Sequence, residues 1–169
     1  METKELLKLV ASTDPILKTN ITEDTEGVAG WNLPQIIEQL HETRKANRAL
    51  GLAANQVGIP LRIFVMGNDF CEFTCINPEI IEQSESRIIE TEGCLSFPGL
   101  VLKVSRAAEI KVRYRDADFK EVECVFTGLF ARCFQHELDH LNGITFTDRV
   151  TKLVLAMARK KQAQARRYR

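Results

Sequence analysis

The sequence predicts an α+β fold with an antiparallel or mixed sheet, and three observations predict it. Strand-like runs gather between residues 61 and 126, helical periodicity is confined to the two flanks, and strand does not alternate with helix as a βαβ chain requires. No repeat, low-complexity tract or linker divides the 169 residues, so they are expected to form one domain with its own core.

The elements follow in order. Asp14-Pro15 marks an early turn, and Trp31, in a GVAGW turn, reads as a packing plug. Residues 33–50 carry apolar side chains at 33, 36, 37, 40 and 50, with Pro34 suited to a first turn, and predict the first long helix. His41 falls on its polar side, a surface position. Residues 61–66 read as a strand, and further strand-like runs cover 73–76, 87–90, 108–114 and 121–126. Turns separate them at Gly67-Asn68-Asp69, Asn77-Pro78, Pro98-Gly99 and Asp116-Ala117-Asp118. Thr127-Gly128 opens a second helix, LFARCFQHELDHLN, which Gly143 stops. A last helix from about Asp148 places Val150, Leu153, Val154 and Met157 on one face. Its first half is expected to pack on the body, and the half beyond Ala158 to project into solvent or onto a partner.

Composition excludes several classes of protein. The longest apolar runs, such as 63–66 and 153–157, fall far short of the ~20 residues that span a bilayer. The start, METKELLKLVASTD, is neither a secretory signal nor an Arg- and Ser-rich transit peptide, and the expectation is a soluble, cytoplasmic protein. Five cysteines, an odd number, argue for reduced thiols; Cys71 and Cys75 read as ordinary strand cysteines, since no second Cys/His pair completes a zinc knuckle. No glycine-rich phosphate loop follows a strand, so no nucleotide cofactor is expected.

The balance of 23 basic and 23 acidic residues conceals an asymmetry. Residues 149–169 hold eight basic side chains and no acid, leaving a net charge of −8 on the rest. Two readings of this tail stand: a solvated helix end whose cations suit the macrodipole, or a surface for a polyanion such as RNA.

The chemistry concentrates in Gln135-His136-Glu137-Leu138-Asp139-His140. This HExxH puts two imidazoles on one face of a helix, able to converge on one metal ion, with Glu137 between them in reach of a water. A catalytic ion needs a third protein ligand. No Glu or His follows Gly143, so it must come from upstream. Cys94 in Glu92-Gly93-Cys94-Leu95-Ser96 is the best source, although read alone such a cysteine is more often buried structure than a ligand. Gly51-Leu52-Ala53-Ala54-Asn55-Gln56 adds small residues that let backbone approach a site, and an amide donor in Gln56.

Together these three segments resemble the peptide deformylase family, whose pattern is GxGLAAxQ, then EGCLS, then QHExDH, over about residues 10–150. Asp14-Pro15 and Ala131-Arg132 fit it as well. Two departures stand out. Ala49 replaces the first motif glycine, which strains the backbone if that position needs a positive φ and fits simply if it ends a helix. The LVLKVSR stretch after EGCLS also differs, which bears on the side chains lining the pocket for the first substrate residue.

The resemblance implies sheets packed around a central metal-binding helix, with a C-terminal helix beyond. Carried over position by position, it makes Cys94, His136 and His140 the ligands of one divalent ion and Glu137 the general base turned general acid. Gln56 and the backbone N–H of Leu95 then stabilise the oxyanion. It implies Fe(II) as the working ion, although a thiolate with two imidazoles suits Zn(II), Co(II) or Ni(II) too. The substrate implied is an N-formyl-methionyl nascent peptide, extended along backbone near Leu50, Gly51 and Gly93, with the methionine side chain against Leu50, Leu129 and Cys133. For those three the alternative is plain core. Arg132, one turn before His136, either faces the site or pairs with Glu92 or Asp139. The basic tail is implied to dock at the ribosome. Two rivals remain: a zincin-type endopeptidase, and a non-catalytic ribosome-binding module with a structural metal.

Overall fold

The structure, a computed structural model, describes residues 6–22 and 30–167. In chain order the elements are α1 (Leu33–Ala46), β1 (Gly51–Ala53), β2 (Ile63–Gly67), β3 (Glu72–Gln83), β4 (Arg87–Gly93), β5 (Val101–Ala107), β6 (Glu109–Arg115), β7 (Glu121–Thr127), α2 (Gly128–Leu141) and α3 (Lys152–Arg167). Short 3-10 turns lie at Pro15–Lys18, Ala54–Val57 and Phe146–Arg149. Every pairing is antiparallel: a five-stranded sheet in the order β1-β2-β3-β6-β7, and a two-stranded β4-β5 hairpin. This is the α+β architecture the distribution of patterns predicts.

The unbroken apolar run of β2 follows from coverage on both faces. Side chains alternate along a strand. Ile63 and Val65 join the cluster under α1 with Leu33, Ile36, Ile37 and Leu40, whereas Phe64 and Met66 join the cluster under α2 with Phe134, Leu138 and Leu141. Phe64 and Phe134 meet edge to face at 5.0 Å, a favourable arrangement of two ring quadrupoles. The helix bearing the HExxH thus lies on one side of the sheet and α1 on the other.

Helix α1 stops four residues before Leu50. Asn32 caps its start by accepting from the Gln35 N–H, while Asn47 closes its end, its side chain donating to the Thr43 carbonyl at 2.8 Å. Arg48 then takes φ 52°, the left-handed conformation that ends a helix. Ala49 is not among the positive-φ residues, so replacing the motif glycine there strains nothing. Buried Arg44 secures the turn by donating to the carbonyls of Ala49 (3.1 Å) and Gly67 (2.8 Å).

Several expectations are corrected. The Asn77-Pro78 turn is instead an irregularity inside a long β3, where Asn77 has φ 50° and proline's missing N–H is tolerated. The LVLKVSR stretch is largely β5, its Leu102, Val104 and Arg106 directed inward and its Val101 and Lys103 outward. His41 is not a surface residue: its Nε2 lies 3.0 Å from Thr74 Oγ1 on β3, beside Glu72. Trp31 is 41% exposed and plugs nothing; residues 27–29 of the same GVAGW segment lie outside the described residues. Cys75 is a buried β3 residue, but Cys71 sits in the turn before that strand, held near Asn68.

The last helix starts later and docks on a different face. Residues 146–149 form a 3-10 turn that Asp148 stabilises by accepting the Thr145 N–H. From Lys152 onward it is Leu155 and Ala158, with Val150, that pack against Leu100, Leu102, Val104 and Phe146. Leu153 (70%) and Met157 (65%) are exposed instead. Nor does the second half project freely: Gln162 and Arg166 donate to the Pro98 carbonyl at 2.8 and 3.2 Å. Arg169 lies outside the described residues.

Candidate active site and metal centre

Three elements deliver the polar residues. β4 ends at Gly93 and passes Cys94 into a turn closed by the Phe97 N–H bonding to the Cys94 carbonyl. α2 presents His136 and His140 at i and i+4. Cys94 Sγ lies 3.3 Å from His140 Nε2, and the ligand atoms of Cys94, His136 and His140 all lie within 4.8 Å of one another. A tetrahedral ion bound at ~2.3 Å to sulfur and ~2.1 Å to nitrogen requires ligand separations of about 3.5 Å, so the three fit one metal ion. A thiolate with two imidazoles is a donor set for a borderline-soft transition metal rather than for magnesium or calcium.

Glu92 organises this centre. Its carboxylate receives Arg106 through Nε and Nη2 at 2.9 Å each and Arg132 Nη1 at 2.7 Å, and its Oε2 lies 2.9 Å from His136 Nδ1. Arg106 continues to Asp139 at 2.5 Å, and Asp139 also receives Arg149 Nε at 2.9 Å. Burial pushes the Glu92 carboxyl up, but the guanidinium of Arg106 and the His136 ring outweigh it and hold it well below the usual carboxylate range. Burial disfavours the charged form of both imidazoles; it prevails at His140 and holds it well below the usual value, whereas bonding to Cys94 and Glu92 raises His136 to about 10. Arg132 does both things expected of it: it faces the site cavity, and it pairs with Glu92, and with Glu90 at 3.2 Å, rather than with Asp139. Arg106 has no motif around it. Its only sequence signal is a charged residue at an inward position of an alternating run.

Glu137 is buried, and its Oε2 has no hydrogen-bond partner among the described residues. Burial raises its pKa to about 7, opposed by His136 and reinforced by Glu92. Gly51 packs directly on this carboxylate: a Cβ there would lie 2.5 Å from Glu137 Oε1 and 2.7 Å from Cys133 Sγ, so only glycine lets β1 approach α2. Gln56, in the turn after β1, accepts the Ala53 N–H at 2.8 Å and donates to Ser96 Oγ at 3.0 Å, which aims its amide across at the Cys94 turn. Asn55 donates to the His140 carbonyl at 2.6 Å and ties that turn to α2.

A cavity of about 620 Å³ opens onto these groups. One wall carries Leu50, Gly51 and Gln56, the facing wall Gly93, Cys94 and Leu95, and α2 contributes Leu129, Cys133, His136 and Glu137. Leu129 is 61% exposed at the rim rather than core; Cys133 is buried below it. His140 stands behind the cavity and is not part of its lining. The lining also includes Arg48, Thr91, Pro98 and Gly99, none of which the motifs singled out.

A buried helix bearing HExxH, completed by a cysteine from a neighbouring strand end, defines a metalloenzyme of the HExxH class. Within it, the chain belongs to the polypeptide deformylase family, whose sequence model matches residues 6–155. It is 41% identical to the peptide deformylase of Thermotoga petrophila over 88% of this chain and 89% of that one. Among solved structures it is similar to a peptide deformylase from Legionella pneumophila, with a TM-score of 0.86 and 32% identity over 97% of each chain. It is similar also to a Met-Ala-Ser-bound class I type b peptide deformylase from Acinetobacter baumannii, with a TM-score of 0.81 and 33% identity over 88% of this chain and all of that one.

Proposed function

We propose that this protein hydrolyses the formyl amide of N-formyl-methionyl nascent peptides, releasing formate and a free amino terminus. The observation that carries the reading is the meeting of Cys94, His136 and His140 beside buried Glu137, at a cavity of about 620 Å³ lined by Cys94, His136 and Glu137. Cys94, His136 and His140 hold the divalent ion, Fe(II) by family resemblance, with Zn(II), Ni(II) and Co(II) compatible with the same donors. Bound there, the ion supplies Lewis acidity to the formyl oxygen and makes water acidic enough to attack near neutral pH.

The chain's own residues do the rest. Glu137 takes the proton of the attacking water on its unpartnered oxygen and returns it to the leaving amine. Gln56 Nε2 and the Leu95 N–H donate to the carbonyl oxygen as it gains charge. The peptide lies extended between the Leu50–Gly51 backbone and Gly93, with the methionine side chain against Leu50, Leu129 and Cys133. The Met-Ala-Ser bound by the Acinetobacter relative is what such a reaction leaves behind.

No helix among the described residues is long and apolar enough to cross a membrane, in keeping with a cytoplasmic enzyme. Ribosome docking would fall to Lys152, Arg159, Lys160, Lys161 and Arg167, because Arg149 is engaged by Asp139 and Arg166 by Pro98. The test of the reaction is formate release by anaerobically purified, Fe(II)-loaded protein from formyl-Met-Ala-Ser and from its acetyl analogue. Release from the formyl peptide alone is expected. A loaded protein that releases nothing, or cleaves an internal peptide bond instead, overturns the reading.

A further inference from the structure

We propose that Arg48 selects substrates by charge, favouring peptides with an acidic side chain two residues after the formyl-methionine over those with a basic one. The inference rests on the proposed function and extends it to a residue that the motifs do not include.

The reacting end of the substrate is fixed by Cys94, His136, His140 and Glu137, and Gly51 lies directly on Glu137. From Gly51 the chain runs back through Leu50 and Ala49 to Arg48, and all four line the cavity. Three residues of backbone span at most ~10 Å, so the Arg48 backbone lies within about 10 Å of Gly51, and its long side chain reaches further out along the wall. A peptide laid along this wall brings its third residue beside Arg48. Arg48, Ala49 and Leu50 also line a neighbouring cavity of about 750 Å³, so the substrate's path continues past the guanidinium.

Charge bookkeeping at the mouth singles out this residue. The other ionised groups along the path neutralise one another: Glu90, Glu92 and Asp139 with Arg106, Arg132 and Arg149, and Glu72 and Glu42 with Arg44 and Lys45. Glu137 is buried at the closed end. The Arg48 side chain is exposed and has neither ion pair nor hydrogen bond among the described residues. Asp69 lines the far part of the neighbouring cavity and opposes the effect, but it does not line the catalytic one. The left-handed turn at Arg48 fixes its backbone at the lip, because the helix ends there and β1 begins three residues later.

The test compares kcat/KM for the C-terminal amides of formyl-Met-Ala-Asp, formyl-Met-Ala-Ala and formyl-Met-Ala-Lys, using metal-loaded enzyme at low ionic strength. One exposed pairing gained and one repulsion removed give an acidic-over-basic preference of roughly 3- to 10-fold, carried by KM rather than kcat. Arg48→Gln should bring the ratio close to one, Arg48→Glu should invert it, and about 0.5 M salt should compress it in every variant. A parent ratio of one at low salt overturns the inference, as does an unchanged ratio in Arg48→Glu. Formate released from none of the three peptides overturns the proposed function and this inference with it, whereas release from the neutral peptide with no charge preference overturns this inference alone.

Discussion

Glu92 Oε2 lies 2.9 Å from Nδ1 of His136, and the same carboxylate receives Arg106 and Arg132. With the acid held ionised by its guanidinium partners, Nδ1 is the nitrogen that keeps its proton, and Nε2 is the one that would bind a metal.

Replacing Glu92 by Gln should therefore cost about 10- to 100-fold in metal affinity, read by chelator competition. It should also destabilise the fold by roughly 3–5 kcal/mol, because Arg106 and Arg132 lose a buried counter-ion. A variant with parental metal affinity would show that Glu92 only braces β4 against β5.

Gly51 of β1 packs directly on Glu137 and Cys133 of α2. Gly51→Ala drives a methyl group into Glu137 and Cys133, and the strain should lower the melting temperature by the equivalent of about 1–3 kcal/mol. Activity should fall further than stability, since the displaced carboxylate is the proposed base. Metal analysis of the purified variant separates a shifted Glu137 from a lost metal site.

The second half of α3 is tied to the turn that carries Cys94. Gln162 and Arg166 both donate to Pro98, and Pro98 lines the cavity. Deleting residues 159–169 removes these bonds, each contributing about 1 kcal/mol. Amide hydrogens of residues 94–100 should then exchange faster and KM should rise, with metal content unchanged. Exchange at the parental rate would mean that the turn holds itself.

The ion pairs of Glu72 make a pH signature distinct from the active site. Burial raises its pKa, but hydrogen bonding to Lys45 and the charges of His41 and Lys45 prevail and depress it. A depressed carboxyl contributes stability that is present above its unfolded value of ~4.3 and is lost as pH falls through the folded value. Glu72→Gln should therefore be less stable than the parent at pH 6, with the difference closing below about pH 4 in urea titrations. A difference independent of pH would assign the loss to packing.

What was legible in the sequence was local. The i, i+4 imidazoles, the first-turn proline of α1 and the Gly143 stop depend on neighbours within a turn, and the strand-like runs, most of them short of their full extent, on alternation. Arg106 was not legible, because its partners Glu92 and Asp139 are 14 and 33 residues away. His41 looked like surface for the same reason, its partner Thr74 lying across the sheet. The face of α3 was misread because Leu153 and Met157 are as periodic as Leu155 and Ala158. Only docking against Phe146 and the β5 side chains chooses between them. Arg48 was hidden inside an apolar pattern that ran on to Leu50, where a left-handed turn in fact intervenes.

The central claim is that Glu137 moves the proton while Cys94, His136 and His140 hold the ion. Its most direct test is Glu137→Gln, compared with the parent for bound metal and for formate released from formyl-Met-Ala-Ser. General acid–base catalysis contributes ~10²- to 10⁴-fold, so the variant should keep its metal and lose at least about 100-fold in kcat. A metal-loaded Glu137→Gln protein within a few-fold of the parent would contradict the account.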